Sequence, residues 1–232
     1  MSPVRKGRTF NIKRKDRKEM SRKTIASIGI ILGLVAIFGL APKGEGEEEM
    51  VVIETDLGKI TVKFFEDSAP KHVESFKLHA KNGYFDGTSF HRIIPGFVIQ
   101  GGDPNTKDDD RSNDGTGGHA AKFYGVGQED TLESWMLPAE FNDRKHERGA
   151  LSMARSQDPN SAGSQFFICT DPVYRLDGKY TVFGEVVEGM DVVDKIVSSE
   201  TPRKKDPRYR GPDGDNPVEP IKMTMSLKKA KE

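Results

Sequence analysis

The sequence predicts a mainly β domain, a closed antiparallel barrel, on three observations. Short runs alternate apolar with polar residues, as where Ile60, Val62 and Phe64 are interleaved with Thr61 and Lys63. Turns rich in Gly, Pro and Asp separate these runs, which suits antiparallel connections better than parallel crossovers through helices. Only two stretches of the body carry apolar residues at helical spacing.

Residues 1–23 hold ten Lys or Arg against Asp16 and Glu19, a net +8; the whole chain is neutral, so the remainder carries −8. A body with no basic excess argues against nucleic acid as a partner. Residues 24–41, TIASIGIILGLVAIFGLA, contain no charged side chain. As a helix this run would be ~27 Å long, close to the ~30 Å hydrocarbon core of a bilayer. The basic flank before it and the Glu-rich stretch Gly44 to Glu49 after it fit a single span with the N-terminus inside. That reading makes 1–23 a cytoplasmic arm, 24–41 a signal anchor in the cell membrane and 42–49 an acidic linker to an extracytoplasmic domain. A cleaved leader and a secreted domain is the competing reading: Gly39 and Ala41 are small enough for a cleavage site, but Pro42 would follow the scissile bond.

The folded domain is expected over 50–229. MVVIET and KITVKFF flank Asp56-Leu57-Gly58 as a hairpin. Asp67-Ser68-Ala69-Pro70 reads as a helix start, with Asp or Ser capping and proline in the first turn. Val73, Phe76 and Ala80 give that helix one inward face, and Asn82-Gly83 ends it. A second helix is expected from Met190 to Ser198, with Met190, Val193 and Val197 or Ile196 inward. Glu200 to Pro220 reads as an irregular solvated loop, followed by a last strand from Ile221 to Leu227. The single cysteine, Cys169, excludes an intrachain disulfide and lies in the apolar run Phe166-Phe167-Ile168, where burial is its expected role.

Several partial motifs fail. Asp110, Ser112, Asp114 and Gly115 open like a calcium loop, but the twelfth position is Ala121 instead of glutamate. His146-Glu147 starts a zinc-protease motif that lacks its second histidine, and Gly115-Thr116-Gly117-Gly118 lacks the Lys of a phosphate loop. Neither Ser152 nor Ser164 has a histidine fixed beside it by motif spacing. No metal or cofactor is expected.

Phe90 to Asn105, FHRIIPGFVIQGGDPN, is different. It sets Arg92 among apolar residues and returns through Pro95-Gly96 into Phe97, Val98 and Gln100. A guanidinium in such company needs partners, and Gln100 is the candidate to hold it. Taken alone, the stretch is also compatible with an ordinary hairpin bearing a surface arginine. Together with GALSMARSQDPNSAGSQFFICT at 149–170, YRLDGKYTVFGE at 174–185 and the Gly115–Gly118 turn, it resembles the cyclophilin family of peptidyl-prolyl cis-trans isomerases over roughly residues 50–227.

The resemblance implies an eight-stranded antiparallel barrel with two capping helices, proline-containing polypeptide clients, and a set of site residues. Arg92 is the implied catalytic donor, with Gln100 supporting it and reaching the substrate backbone. Phe97, Val98, Phe167 and Leu176 line the implied proline pocket. Ala154 and Arg155 lie along the peptide groove, Gln165 is close by, and Tyr180 supplies an aromatic wall. Val98 stands where many members have methionine, Arg175 where the eukaryotic pattern has tryptophan, and Tyr180 where it has histidine; tight cyclosporin binding is therefore in doubt. His91, on the opposite face to Arg92, receives no catalytic role. A monomer is expected.

The chemistry fits a site without acid, base or nucleophile. Resonance gives the X–Pro bond a rotational barrier of ~18–20 kcal/mol. At the twisted transition state the proline nitrogen regains a localised lone pair, so a cationic donor aimed there and a dry pocket both favour the twisted form. Lowering the barrier by ~7 kcal/mol gives about 10⁵-fold acceleration. A module that binds proline segments without turning them over is the alternative function.

Overall fold

A computed structural model describes residues 49–229. The arm, span and most of the linker expected over 1–48 lie outside the described residues. Within them no helix is long and apolar enough to cross a membrane.

The chain forms β1 (Glu49–Thr55), β2 (Gly58–Phe64), α1 (Pro70–Lys81), β3 (Arg92–Ile94), β4 (Val98–Gly101), β5 (Ala150–Met153), β6 (Phe166–Cys169), β7 (Val182–Glu188), α2 (Met190–Ser198), α3 (Pro202–Lys205) and β8 (Met223–Lys229). The eight strands make one antiparallel sheet in the order β3-β4-β6-β5-β7-β2-β1-β8. The expected barrel is not closed by a continuous ladder. Between β3 and β8 there is one bridge, Ser89 to Lys222, with Phe90 N donating to Ile221 O at 3.1 Å and Met223 N to Thr88 O at 2.8 Å. Part of the reason is local: β3 is three residues long, and the amide of Ile93 already donates to Asp215 O at 2.9 Å.

The core follows strand alternation. Val51 and Ile53, Ile60 and Val62, Ile93, Ile99, Leu151, Phe166 and Ile168, Phe183 and Met225 point inward, while Phe76 from α1 and Val193 and Ile196 from α2 plug the interior. Phe76 packs against Phe85, Phe166 and Phe183 with ring centroids 5.0–5.3 Å apart. Val192 joins the buried face of α2, where the sequence reading placed Met190, which is only partly buried.

One expectation about a helix end needs correction. The residue before α1 is Ala69, and no side chain of its own segment caps it. Glu140, distant in sequence, accepts from Lys71 N at 3.1 Å and His72 N at 3.0 Å, and its Oε2 lies 2.6 Å from His72 Nδ1. Asp67 and Ser68 turn to Arg144 instead. The 200–220 loop is exposed over much of its length, as expected, but it is pinned at several points. Lys204 donates to the terminal carbonyls of Val197 and Ser199 at 2.6 Å each, supplying orphan acceptors at the end of α2. Arg203 pairs with Asp215, and Arg111 donates to Pro217 O and Val218 O at 2.7 and 2.8 Å. The loop is thus tied along the outer edge of β3.

Candidate functional site

The alternation that sends Ile93, Ile99 and Ile168 inward sends their neighbours to the opposite face. Across the ladder Arg92 pairs with Gln100, Gln100 with Phe167 and Phe167 with Ser152, so one row of side chains crosses β3, β4, β6 and β5. A second apolar cluster sits on this outer face: Val98, Phe167, Cys169, Val173 and Val182 are buried there, with Phe97, Ala154, Leu176 and Tyr180 packed around them.

This cluster borders a hollow of about 190 Å³, well above the ~10–15 Å³ that one water needs. Arg92, Gln100, Phe97 and Val98 line it from the β3–β4 hairpin, Phe167 from β6, Ala154 and Arg155 from the segment after β5, and Leu176 and Tyr180 from the turn before β7. Nine of the ten side chains expected at the site therefore share one cavity. The tenth, Gln165, lines an adjoining hollow of about 310 Å³ with Gly115 to Gly118, sharing Gln100, Ala154 and Arg155 with the first.

Local structure fixes these positions. Gly96, with φ 71°, permits the Pro95-Gly96 turn that delivers Phe97, whose carbonyl then accepts from Thr170 N at 2.9 Å. The Gly-rich 115–118 turn crosses the segment leading into β6 so closely that a Cβ on Gly163 would sit 2.7 Å from Gly118 O. Asp103, fully buried, holds the base of that turn by accepting from Asn105 N at 2.8 Å and Gly117 N at 3.2 Å. A relay of amides follows. Gln165 Nε2 donates to Gly117 O at 2.8 Å, Gln100 Nε2 donates to Gln165 Oε1 at 3.0 Å, and Arg92 Nη1 donates to Gln100 Oε1 at 3.2 Å. Arg92 also lies over the Phe97 ring, 5.5 Å from its centroid. The guanidinium is held by one carboxamide and one ring, and no carboxylate pairs with it among the described residues.

The floor has support that sequence spacing did not reveal. His146 stacks on Phe167 at 6.0 Å and 15°. Its Nδ1 lies 2.9 Å from Asp177 Oδ1 and its Nε2 lies 3.1 Å from Ser152 Oγ, so a histidine does stand beside Ser152. This Asp–His–Ser chain is no nucleophile: Ser152 and His146 are fully buried, with Ser152 Oγ 3.0 Å from Thr181 O. Burial lowers the pKa of His146, against the opposing pull of Asp177. Burial likewise pushes Cys169 up to about 12, which makes its thiol inert. Burial holds His91 down at about 4, against the opposing pull of Asp103.

A family model for cyclophilin type peptidyl-prolyl cis-trans isomerase/CLD matches residues 50–224. The peptidyl-prolyl cis-trans isomerase ppi1 of Schizosaccharomyces pombe is 40% identical over 178 residues, covering 76% of this chain and 97% of that protein. A probable peptidyl-prolyl cis-trans isomerase of Brucella abortus is 43% identical over 149 residues, 64% of this chain and 71% of its own length. The match to peptidyl-prolyl cis-trans isomerase 9 of Schizosaccharomyces pombe, 42% identical, spans only 24% of that longer protein. Among solved structures, a cyclophilin type isomerase of Cryptosporidium parvum superposes with a TM-score of 0.63 at 26% identity, covering 79% of this chain and 99% of its own. A further crystal structure from that organism, in the presence of the dipeptide Ala-Pro, gives 0.62. With strand order, outer-face pocket and motif all in agreement, the chain belongs to the cyclophilin-type peptidyl-prolyl cis-trans isomerase family.

Proposed function

We propose that this chain accelerates X–Pro rotation in unfolded polypeptides, with Arg92 as the donor to the proline nitrogen and Gln100 as its support. The observation that carries the reading is the Arg92–Gln100–Phe167 row beside a hollow walled by Phe97, Val98, Phe167 and Leu176. Phe97, Val98, Phe167 and Leu176 would strip water from the pyrrolidine ring, which disfavours the charge-separated planar imide relative to the twisted one. One Nη1 hydrogen is spent on Gln100, leaving other guanidinium donors to meet the lone pair that appears as conjugation breaks. Gln100, Ala154, Arg155 and Gln165 border the groove along which the rest of the peptide would lie, and Tyr180 closes it beside Phe167 at a centroid distance of 5.9 Å. The step transfers no proton and makes no covalent bond, so it needs no cofactor.

The decisive experiment is NMR exchange spectroscopy on an X–Pro peptide with the full chain. Faster cis–trans exchange that Arg92→Ala cuts by about 10²–10³-fold supports the reading; binding without acceleration supports the non-catalytic module. The place of action in this proposal is outside the cytoplasm, on a membrane anchor at 24–41, with a monomeric domain that assists folding at the point of secretion. The charge-free run, its basic and acidic flanks and the net −8 of the chain beyond residue 23 support that topology. Proline-limited folding is slow enough, tens of seconds uncatalysed, for such an enzyme to matter there. Protease accessibility in intact cells and the mass of the protein recovered from membranes test it; cleavage of the domain only after lysis would reverse the orientation.

A further inference from the structure

The rim of the pocket carries cations that nothing in the domain neutralises. Arg175, exposed in the turn before β7, lies flat over the Phe97 ring with its Cζ 4.5 Å from the centroid, on the ring that Arg92 also contacts at 5.5 Å. Across the hollow, Arg155 lies 4.6 Å over Tyr180 and donates to the backbone carbonyls of Lys179, Ser156 and Gln157. Lys179 folds back to the carbonyl of Arg175 at 3.1 Å. Among the described residues none of these four side chains is in an ion pair. The nearest acid in the same turn, Asp177, faces inward to His146 and Lys145, and Asp171, exposed beside the Phe97-bonded Thr170, pairs with none of them.

These four cations cluster in a chain whose residues beyond 23 carry net −8. Many surface cations elsewhere in the domain sit in pairs, such as Lys59 with Glu54, Lys63 with Glu185 and Arg148 with Asp194, while others, Lys81 and Lys222 among them, do not pair among the described residues. At the mouth of the pocket none of the four does. Their charged heads rest instead on aromatic rings and neutral carbonyls, which fixes the positions of the charges without neutralising them. Fixed, uncompensated guanidinium groups next to a peptide groove recognise carboxylates.

We propose that this isomerase prefers proline segments flanked by acidic residues, with Arg175 on the Phe97 wall as the main specificity-determining side chain and Arg155 on the Tyr180 wall as the second. The inference rests on the isomerase reading above. It concerns which substrates are turned over, not how the bond rotates.

The test uses NMR exchange with the full chain on X–Pro peptides in isosteric pairs, Glu against Gln, placed one residue before and one after the proline. Gln copies the shape of Glu without its charge, so the ratio of kcat/KM within a pair isolates electrostatics. A solvent-exposed pair at about 4 Å corresponds to roughly a fivefold ratio in low salt, and Debye screening reduces it towards unity at 1 M. The expected result is a ratio of about five in at least one pair, lost in Arg175→Gln and inverted in Arg175→Glu. Ratios within 1.5-fold for both pairs at low salt, or a preference that Arg175→Gln leaves intact, overturn the proposal while leaving the isomerase reading standing. If no peptide of either charge shows accelerated exchange, the isomerase reading fails and this inference with it.

Discussion

Replacing Gln100 by Leu is the sharpest probe of how the guanidinium is aimed. The side chain accepts from Arg92 at 3.2 Å and donates to Gln165 at 3.0 Å, and leucine preserves most of its bulk while deleting both bonds. A hydrogen bond to a charged group contributes ~1.5–3 kcal/mol when buried. Here both partners are half-buried, so ~1–2 kcal/mol is the appropriate range, or about 5- to 30-fold in kcat/KM. Arg92→Ala, which removes the donor itself, should cost about 10²–10³-fold, the usual loss for one preorganised transition-state donor. Gln165→Leu acts one link further away and should cost less than Gln100→Leu; combined, the two should be less than additive, because they break one relay. The assay is exchange spectroscopy on a neutral X–Pro peptide, with the thermal midpoint measured in parallel to confirm folding. Gln100→Leu within twofold of the parent, in a folded protein, would refute the claim that the carboxamide aims Arg92.

Three further outcomes are expected. Glu140→Gln should destabilise the domain by ~1–3 kcal/mol, because the first-turn amides of α1 and the ring of His72 lose a charged acceptor. Burial raises the pKa of Glu140, but hydrogen bonds from His72 and Lys71 outweigh it and leave the net value below the ordinary 4.5. A depressed carboxylate stabilises above its unfolded pKa and loses that contribution as pH falls through the folded value, so the parent's acid sensitivity below pH 4.5 should shrink in Glu140→Gln, as read by denaturant titration across pH. His79, held down to about 4 chiefly by burial, stays neutral in the fold where an unfolded histidine would already be protonated. Stability should therefore be greatest above pH 6.5 and fall towards pH 4, by up to about 1.4 kcal/mol per pH unit for this group; an unchanged pH profile in His79→Phe would exclude it as the source. Arg111→Ala should release the segment that Arg111 grips at Pro217 and Val218 and raise amide exchange at Ile93, whose donor is held by Asp215 O; protection unchanged at Ile93 would mean the segment holds without that clasp.

The parts of the fold legible in the sequence were those governed by local periodicity. Ile60, Val62 and Phe64 enter the core as expected, though Thr61 between them is buried too, Val73, Phe76 and Ala80 form the inner face of α1, and the hairpin turns at Asp56-Leu57. Motif resemblance assembled the pocket, because FHRIIPGFVIQ and SQFFIC supply both sides of one ladder. What escaped was non-local. Glu140 caps a helix 70 residues upstream, and His146 meets Asp177 31 residues on; neither spacing is a pattern that a period can reveal. The charged, proline-rich look of 200–220 suggested solvation, yet Arg203, Lys204 and Asp215 each find a partner inside the domain. Arg203 and Lys204 stay exposed, so what the sequence missed was their partners and not their solvation.

The strap along β3 has a further consequence. On the proposed function the enzyme would meet loose extended chains, and any strand whose outward amides stand bare is an invitation for one of them to pair and stay. Here Asp215 occupies the Ile93 amide, and the Arg111 clasp keeps it there. A visiting polypeptide is left to lie across the face, where side-chain grooves grip weakly enough to let go. Turnover, on this view, depends on one edge having been sealed from within.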